Sequence, residues 1–247
     1  AVINDKELNE KEYALIVANK CKTDHTDILV NYGEIKLNFL RNLARRFGQP
    51  FADSSIIPTY LVSNKISREV TVAIGGDGAD EIFCGYNKYN NSVRPITERF
   101  FRNTNLDFLE DDYKNDTYEY MLSKLPYLTR DRNELMRLLD IRFFLEGDIL
   151  QKVDRMSMAN SLEVRVPFLD HRIAEYSNCL TYESMFGKIR KYPIKRILEQ
   201  YFDKQFVHRN KIGFMLGFDG WNDKFDDVIN NCEIIKSDIF KKDFDIR

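Results

Sequence analysis

Residues 75–81, Gly75-Gly76-Asp77-Gly78-Ala79-Asp80-Glu81, place three glycines in four positions and three carboxylates in five. Without a Cβ, glycines let backbone amides come close to a phosphate and allow positive φ. Asp77, Asp80 and Glu81 repel one another unless a cation or a hydrogen-bond network compensates. Amide-rich glycines beside carboxylates suit a Mg²⁺–nucleotide site. The same Gly-Asp-Gly string is also ordinary turn chemistry, so local composition leaves both readings open.

The elements around this loop determine what it can do. Glu69 to Ile74 is a β-branched run without alternation, which predicts a strand in a sheet covered on both faces and places the glycines at its carboxyl end, where open parallel sheets bind ligands. Upstream, Asn4 or Asp5 can cap a helix that has Glu7 in its first turn and runs through Leu8, Leu15 and Ala18 to about Asn19. Ile28 to Val30 reads as a strand. Ile35, Phe39, Leu43 and Phe47 recur every four residues and predict a helix from Glu34 to Phe47, stopped by Gly48 and Pro50. Ile56 to Ile66 is a second helical stretch, with Pro58 in its tolerant first turn. Beyond the loop, helical periodicity covers Asn133–Leu145, Asp148–Ala159, Asp170–Cys179 and Tyr192–Tyr201. Arg94 to Asp116, rich in Asn, Asp and Arg, reads as a flexible connection between an α/β part over residues 1–93 and a helical part over 117–247.

Composition narrows the function class. The 247 residues carry 37 Lys+Arg against 39 Asp+Glu, a formal charge of −2, so nothing global draws the chain to nucleic acid or an anionic membrane. A content of 11 Gly and 6 Pro is low beside the roughly 12% that average usage would give, which favours helix over a turn-rich β protein. No apolar run approaches the ~20 residues of a membrane span. Cys21, Cys84, Cys179 and Cys232 stand far apart without zinc spacing, and His25, His171 and His208 share no ligand pattern. With a charged start lacking the apolar core of a signal peptide, the chain reads as cytoplasmic.

Four segments carry a family resemblance: Asp53-Ser54-Ser55-Ile56-Ile57-Pro58-Thr59-Tyr60-Leu61-Val62-Ser63, Val70 to Tyr89, Asp148 to His171, and Arg209-Asn210-Lys211-Ile212-Gly213-Phe214. In this order they resemble the synthetase domain of glutamine-dependent asparagine synthetases. The resemblance implies an α/β fold, a partial parallel sheet of the ATP-pyrophosphatase (adenine nucleotide alpha-hydrolase-like) type with a mainly helical C-terminal region. It also implies a ligase that adenylates a carboxylate with ATP, releases pyrophosphate, and lets ammonia displace AMP. Aspartate is the leading carboxylate substrate, and a glutaminase domain or another ammonia source is the expected partner. Carried over by position, Gly75, Gly76 and Gly78 would contact ATP and Asp80 would bind Mg²⁺. Asp77 would assist the intermediate and accept a proton as ammonia attacks. Lys211 would offset charge at the α-phosphate.

Two departures qualify this expectation. Gly75 stands where the family has Ser, and the family's S-G-G-x-D-S phosphate loop is absent from these residues, as is the glutaminase domain with its nucleophilic cysteine. Either the chain is a fragment of a longer polypeptide or its natural form has lost part of the site. It is expected to be inactive alone, and a non-catalytic nucleotide-binding or interaction module is the alternative. A sheet lacking its first strand would expose an apolar edge, so association, a homodimer being one form, or modest stability is expected. Lys152, Asp154, Arg155, Glu163, Arg165 and Asp170 read as a buried ion-pair scaffold, with an Arg contact to a substrate carboxylate as the alternative. Trp221 reads as core, and the tail from Asn222 as a peripheral amphipathic helix.

Overall fold

The computed structural model describes residues 2–3, 10–30, 35–49, 51, 53–90, 111–125, 129, 131–186 and 189–209. Expectations for Asn4 to Glu7, Arg94 to Glu110, Lys211, Trp221, Cys232 and the tail lie outside these residues.

In chain order the first elements are β1 (Val2–Ile3), α1 (Lys11–Cys21), β2 (Leu29–Val30), α2 (Leu37–Phe47), α3 (Ile56–Ile66), β3 (Val72–Ile74) and α4 (Ala79–Ile82). After a 3₁₀ turn at Asn87–Asn90 come α5 (Asp111–Ser123) and α6 (Arg132–Leu139). A π-helical stretch (Asp140–Leu150), α7 (Gln151–Met158) and β4 (Glu163–Arg165) follow. The last described elements are a 3₁₀ turn (Pro167–Leu169), α8 (His171–Asn178), α9 (Tyr182–Phe186), α10 (Tyr192–Leu198) and α11 (Lys204–Val207). The structure is α/β and mostly helical. Among the described residues no helix is long and apolar enough to cross a membrane.

The strands form two parallel pairs, β1 with β2 and β3 with β4. In the second pair Val72, Ala73 and Ile74 lie opposite Glu163, Val164 and Arg165. β4 therefore brings residues from the mainly helical stretch into the sheet that ends at the glycine loop. The expectation of a strand covered on both faces is corrected: β3 is shorter than 69–74, and Ile74 is 77% exposed. Its β-branched side chains favour extended backbone whether or not a second layer covers them.

Helix α2 follows its sequence pattern. Leu43 and Phe47 are buried, and Gly48 closes the helix at φ 80°, with its N–H donating to the Ala44 carbonyl at 3.0 Å. Both side chains pack with Ile57 of α3 and Met156 of α7 in one apolar cluster. Arg155 secures this junction by donating to the Phe47 carbonyl and lying 4.8 Å from the centre of the Phe47 ring. A second cluster gathers Cys84, Tyr89, Met136, Leu139, Met185 and Phe186.

Two further expectations change. The separate helices at 133–145 and 148–159 are one continuous rod, because α6, the π-helical stretch and α7 abut without a break. A π segment widens the turn without ending the helix, and apolar periodicity then slips out of phase. The distal end of the 94–116 connection is helical, since α5 begins at Asp111. The ion-pair scaffold is also smaller than expected. Lys152 and Arg155 are built into the junction, whereas Glu163 and Arg165 pair with each other at 2.8 Å in solvent. Asp170 instead caps α8, accepting from the Arg172 N–H at 2.9 Å.

Candidate functional site

The glycines at the end of β3 serve different ends. The Gly75 N–H donates to the Arg165 carbonyl at 2.8 Å, prolonging the β3–β4 ladder by one rung. A Cβ on Gly75 would stand 2.8 Å from Oδ2 of Asp77, so the glycine that replaces the family's serine leaves room for that carboxylate. Gly78 has φ 83°, and a Cβ there would fall 2.2 Å from Leu169 Cδ2. Its lack of a side chain is needed for the turn and for packing of the Pro167–Leu169 segment. Of the three loop glycines, Gly76 alone has open space around its Cα, with nothing within 4 Å of where a Cβ would stand.

The three carboxylates diverge instead of converging. Asp77 is half-buried, and burial raises its pKa, partly opposed by the Lys152 ammonium and reinforced by Asp80. Asp80 pairs with Lys191 at 2.9 Å. Glu81 is 1% exposed, turned inward, and accepts a hydrogen bond from the Tyr86 hydroxyl; burial raises its pKa. The repulsion inherent in the sequence is thus relieved by separate partners. Among the described residues no group of three or more His, Cys, Asp or Glu side chains is placed to hold a metal ion. Asp80 offers one carboxylate of hard oxygen, which would hold Mg²⁺ only with phosphates supplying further ligands, and its charge is compensated here by Lys191.

Beside Gly76 opens a cavity of about 270 Å³. Among the described residues Arg190, Lys191, Lys195 and Arg209 line it, with the Glu10 carboxylate and an apolar wall that includes Phe168 and Ile194. Burial lowers the Lys195 pKa, and the charges of Arg190, Lys191 and Arg209 lower it further. Arg209 is held between the rings of Tyr13 and Phe206, 4.6 and 4.7 Å from their centres. Such a cavity suits a compact polyanion, which would relieve the crowding of like charges. Sequence reading passed over Arg190, Lys191 and Lys195. Their signal was the density of cations in Lys188-Ile189-Arg190-Lys191-Tyr192-Pro193-Ile194-Lys195-Arg196.

On the other side of the loop, Lys152 is buried between two carboxylates. It bonds Asp53 and lies 3.7 Å from Asp148. Asp53 also accepts from the Ser55 N–H at 2.8 Å and the Ser55 hydroxyl at 2.7 Å. Burial works to raise the Asp53 pKa, but Lys152 and Ser55 outweigh it and hold the group below the ordinary range. Asp148 is pushed up to about 6 by burial and by the charge of Asp53. The structure therefore brings Gly76 to the cationic cavity, ties Asp80 to that cavity through Lys191, and sets Asp77 within the field of Lys152.

A family model described as asparagine synthase matches residues 2–242. The chain is 28% identical to asparagine synthetase [glutamine-hydrolyzing] 1 of Bacillus subtilis (strain 168), with 75% of this chain and 37% of that protein covered. It is 29% identical to asparagine synthetase [glutamine-hydrolyzing] 3 of the same organism, over 78% of this chain and 33% of the relative. A putative asparagine synthetase [glutamine-hydrolyzing] of Mycobacterium tuberculosis (strain ATCC 25618 / H37Rv) is 27% identical, over 70% of this chain and 34% of its own length. The chain spans about a third of the length of these relatives. With the match running almost from end to end, the chain belongs to the asparagine synthase family.

Proposed function

We propose that this chain is the synthetase portion of an ATP-dependent amidotransferase that adenylates a carboxylate, with aspartate the leading substrate, and amidates it with glutamine-derived ammonia. The observation that carries this reading is the cavity beside Gly76, a space of about 270 Å³ lined by Arg190, Lys191, Lys195 and Arg209. A polyphosphate tail fits that charge, and the glutamine in the relatives' names supports the ammonia source.

In the first step a carboxylate oxygen of the acid attacks the α-phosphorus of ATP, and the bond to the departing pyrophosphate breaks. Arg190, Lys191 and Lys195 stabilise the negative charge gathering on that leaving group, while the open backbone at Gly76 lets the phosphates approach. Mg²⁺ held at Asp80 would supply further neutralisation of the same charge. In the second step the ammonia lone pair attacks the acyl carbon and AMP departs with its bonding electrons. Asp77 takes the proton released from nitrogen, and its burial-raised pKa makes it a stronger base than an exposed carboxylate. By its motif, Lys211 would offset charge at the α-phosphate.

The sheet supports the fold expected for this chemistry. β3 and β4 form a parallel pair with the loop at the carboxyl end of β3, as in an open nucleotide-binding sheet of the ATP-pyrophosphatase type. The test is pyrophosphate release by the complete gene product given Mg·ATP, ammonium or glutamine, and a panel of carboxylic acids. Release with aspartate is expected, and Asp77→Asn should abolish it while leaving most ATP binding. Silence with every acid overturns the proposal.

A further inference from the structure

The ion pair between Asp80 and Lys191 joins residues 111 positions apart, and the surrounding backbone is shaped to admit it. A Cβ on Gly85 would sit 1.9 Å from Asp80 Oδ1 and 2.3 Å from Lys191 Cε, so any other residue there would displace the pair. Gly85 also donates its N–H to the Asp80 carbonyl at 2.7 Å, which holds this gap against the carboxylate's own backbone. On the other side Lys191 has φ 54°, a left-handed conformation that a side chain with a Cβ adopts at a cost, immediately before α10. Gly85 thus leaves the space that the pair occupies, and Lys191 projects into it from a left-handed backbone. The ammonium of Lys191 has the Asp80 carboxylate on one side and the cavity, with Arg190, Lys195 and Arg209, on the other. While the cavity holds no anion, those like charges press Lys191 toward Asp80. An anion in the cavity reverses that preference.

We propose that Lys191 is a resident counter-cation for Asp80, exchanged for a divalent metal ion when a polyphosphate enters the cavity, so that the metal carboxylate is masked until the anionic substrate arrives. The proposal rests on the reading of Asp80 as the metal carboxylate and goes beyond it by assigning Lys191 a competing role. Bare metal should then bind poorly to the protein as it stands. The exchange keeps the charge beside Asp80 compensated in both states, which avoids leaving a half-buried carboxylate unpaired.

The test uses the 247-residue chain and Mn²⁺ alone, without nucleotide, titrated by calorimetry and by the loss of free Mn²⁺ signal in electron paramagnetic resonance. Lys191→Gln should bind Mn²⁺ at least about tenfold more tightly than the wild type. Lys191→Arg, which keeps the charge, should stay near the wild-type value. Adding Asp80→Asn to Lys191→Gln should remove the gain. Circular dichroism checks folding, and Lys191→Met provides a second neutral variant that should reproduce the gain. If neutral variants that remain folded bind Mn²⁺ no better than the wild type, while Asp80→Asn still abolishes binding, the masking role is overturned and the metal assignment stands. If Asp80→Asn changes nothing in either background but weakens Mn²⁺ binding once inorganic pyrophosphate is added, the masking role is overturned and the metal assignment stands; if it changes nothing there either, both fall.

Discussion

Replacing Lys152 with Met removes an ammonium that faces both Asp53 and Asp148. The methionine keeps most of the apolar stem, so packing against the junction is largely retained and the loss is electrostatic. Breaking a fully buried pair costs roughly 3–5 kcal/mol. Here the Asp53 and Asp148 side chains keep 27% and 29% of their exposure against 11% for Lys152, so water screens part of the effect. We expect about 2–3 kcal/mol of destabilisation at pH 7. The pH dependence carries the diagnostic sign. Asp53 has a lowered folded pKa, so its stabilising contribution is present above the unfolded value near 4 and is lost as pH falls through the lower folded value. In the variant that contribution is absent, and Asp53 and Asp148 favour the folded state only when protonated. Asp148 already has a raised pKa in the wild type and acts in both proteins, so the difference should shrink as Asp53 becomes protonated in the variant on approaching pH 4, and go on shrinking below it as Asp53 loses its pairing in the wild type. Asp77 loses the opposing charge too, so its pKa rises further and the acidic limb of the rate profile of the complete enzyme moves upward. Urea unfolding across this pH range measures the stability term. A difference that stays constant with pH, or falls below about 1 kcal/mol at pH 7 where surface pairs lie, would refute the reasoning.

Gly78→Ala introduces a side chain at φ 83° and a Cβ 2.2 Å from Leu169, so thermal unfolding should show a loss of at least about 2 kcal/mol. Lys195→Ala should weaken binding of inorganic pyrophosphate about tenfold or more, as expected for one charge-assisted contact, and the wild-type affinity should fall with added salt. Equal affinity by calorimetry would remove Lys195 from the anion site.

Much of the framework was legible in the chain because it is local. The four-residue recurrence of Phe39, Leu43 and Phe47 places one face of α2 on the core, Gly48 ends it by adopting the left-handed conformation, and Pro58 falls within the first turn of α3. The ordered motifs identified the family, and the glycine loop was located at the carboxyl end of a strand. Periodicity failed where its physics changes: the π-helical stretch at Asp140–Leu150 shifts the phase of the apolar positions, so one rod resembled two helices. The exposure of Ile74 was equally invisible, since β-branched residues state a preference for extended backbone and say nothing of what covers it.

The site divided along the same line. Sequence alone supplied the residue types at positions 75–81 and the crowding of Asp77, Asp80 and Glu81, because neighbours in the chain are neighbours in space. Only tertiary structure decided how that crowding is resolved. Lys191 reaches Asp80 across 111 positions, Lys152 bonds Asp53 across 99, and Glu81 turns inward to Tyr86, away from the cavity. Which charges meet is set by how the helices pack and by gaps such as the one at Gly85. An isolated lysine or carboxylate in the chain carries no mark of its partner, since Coulomb attraction depends on distance in the folded state and on the water removed around the pair.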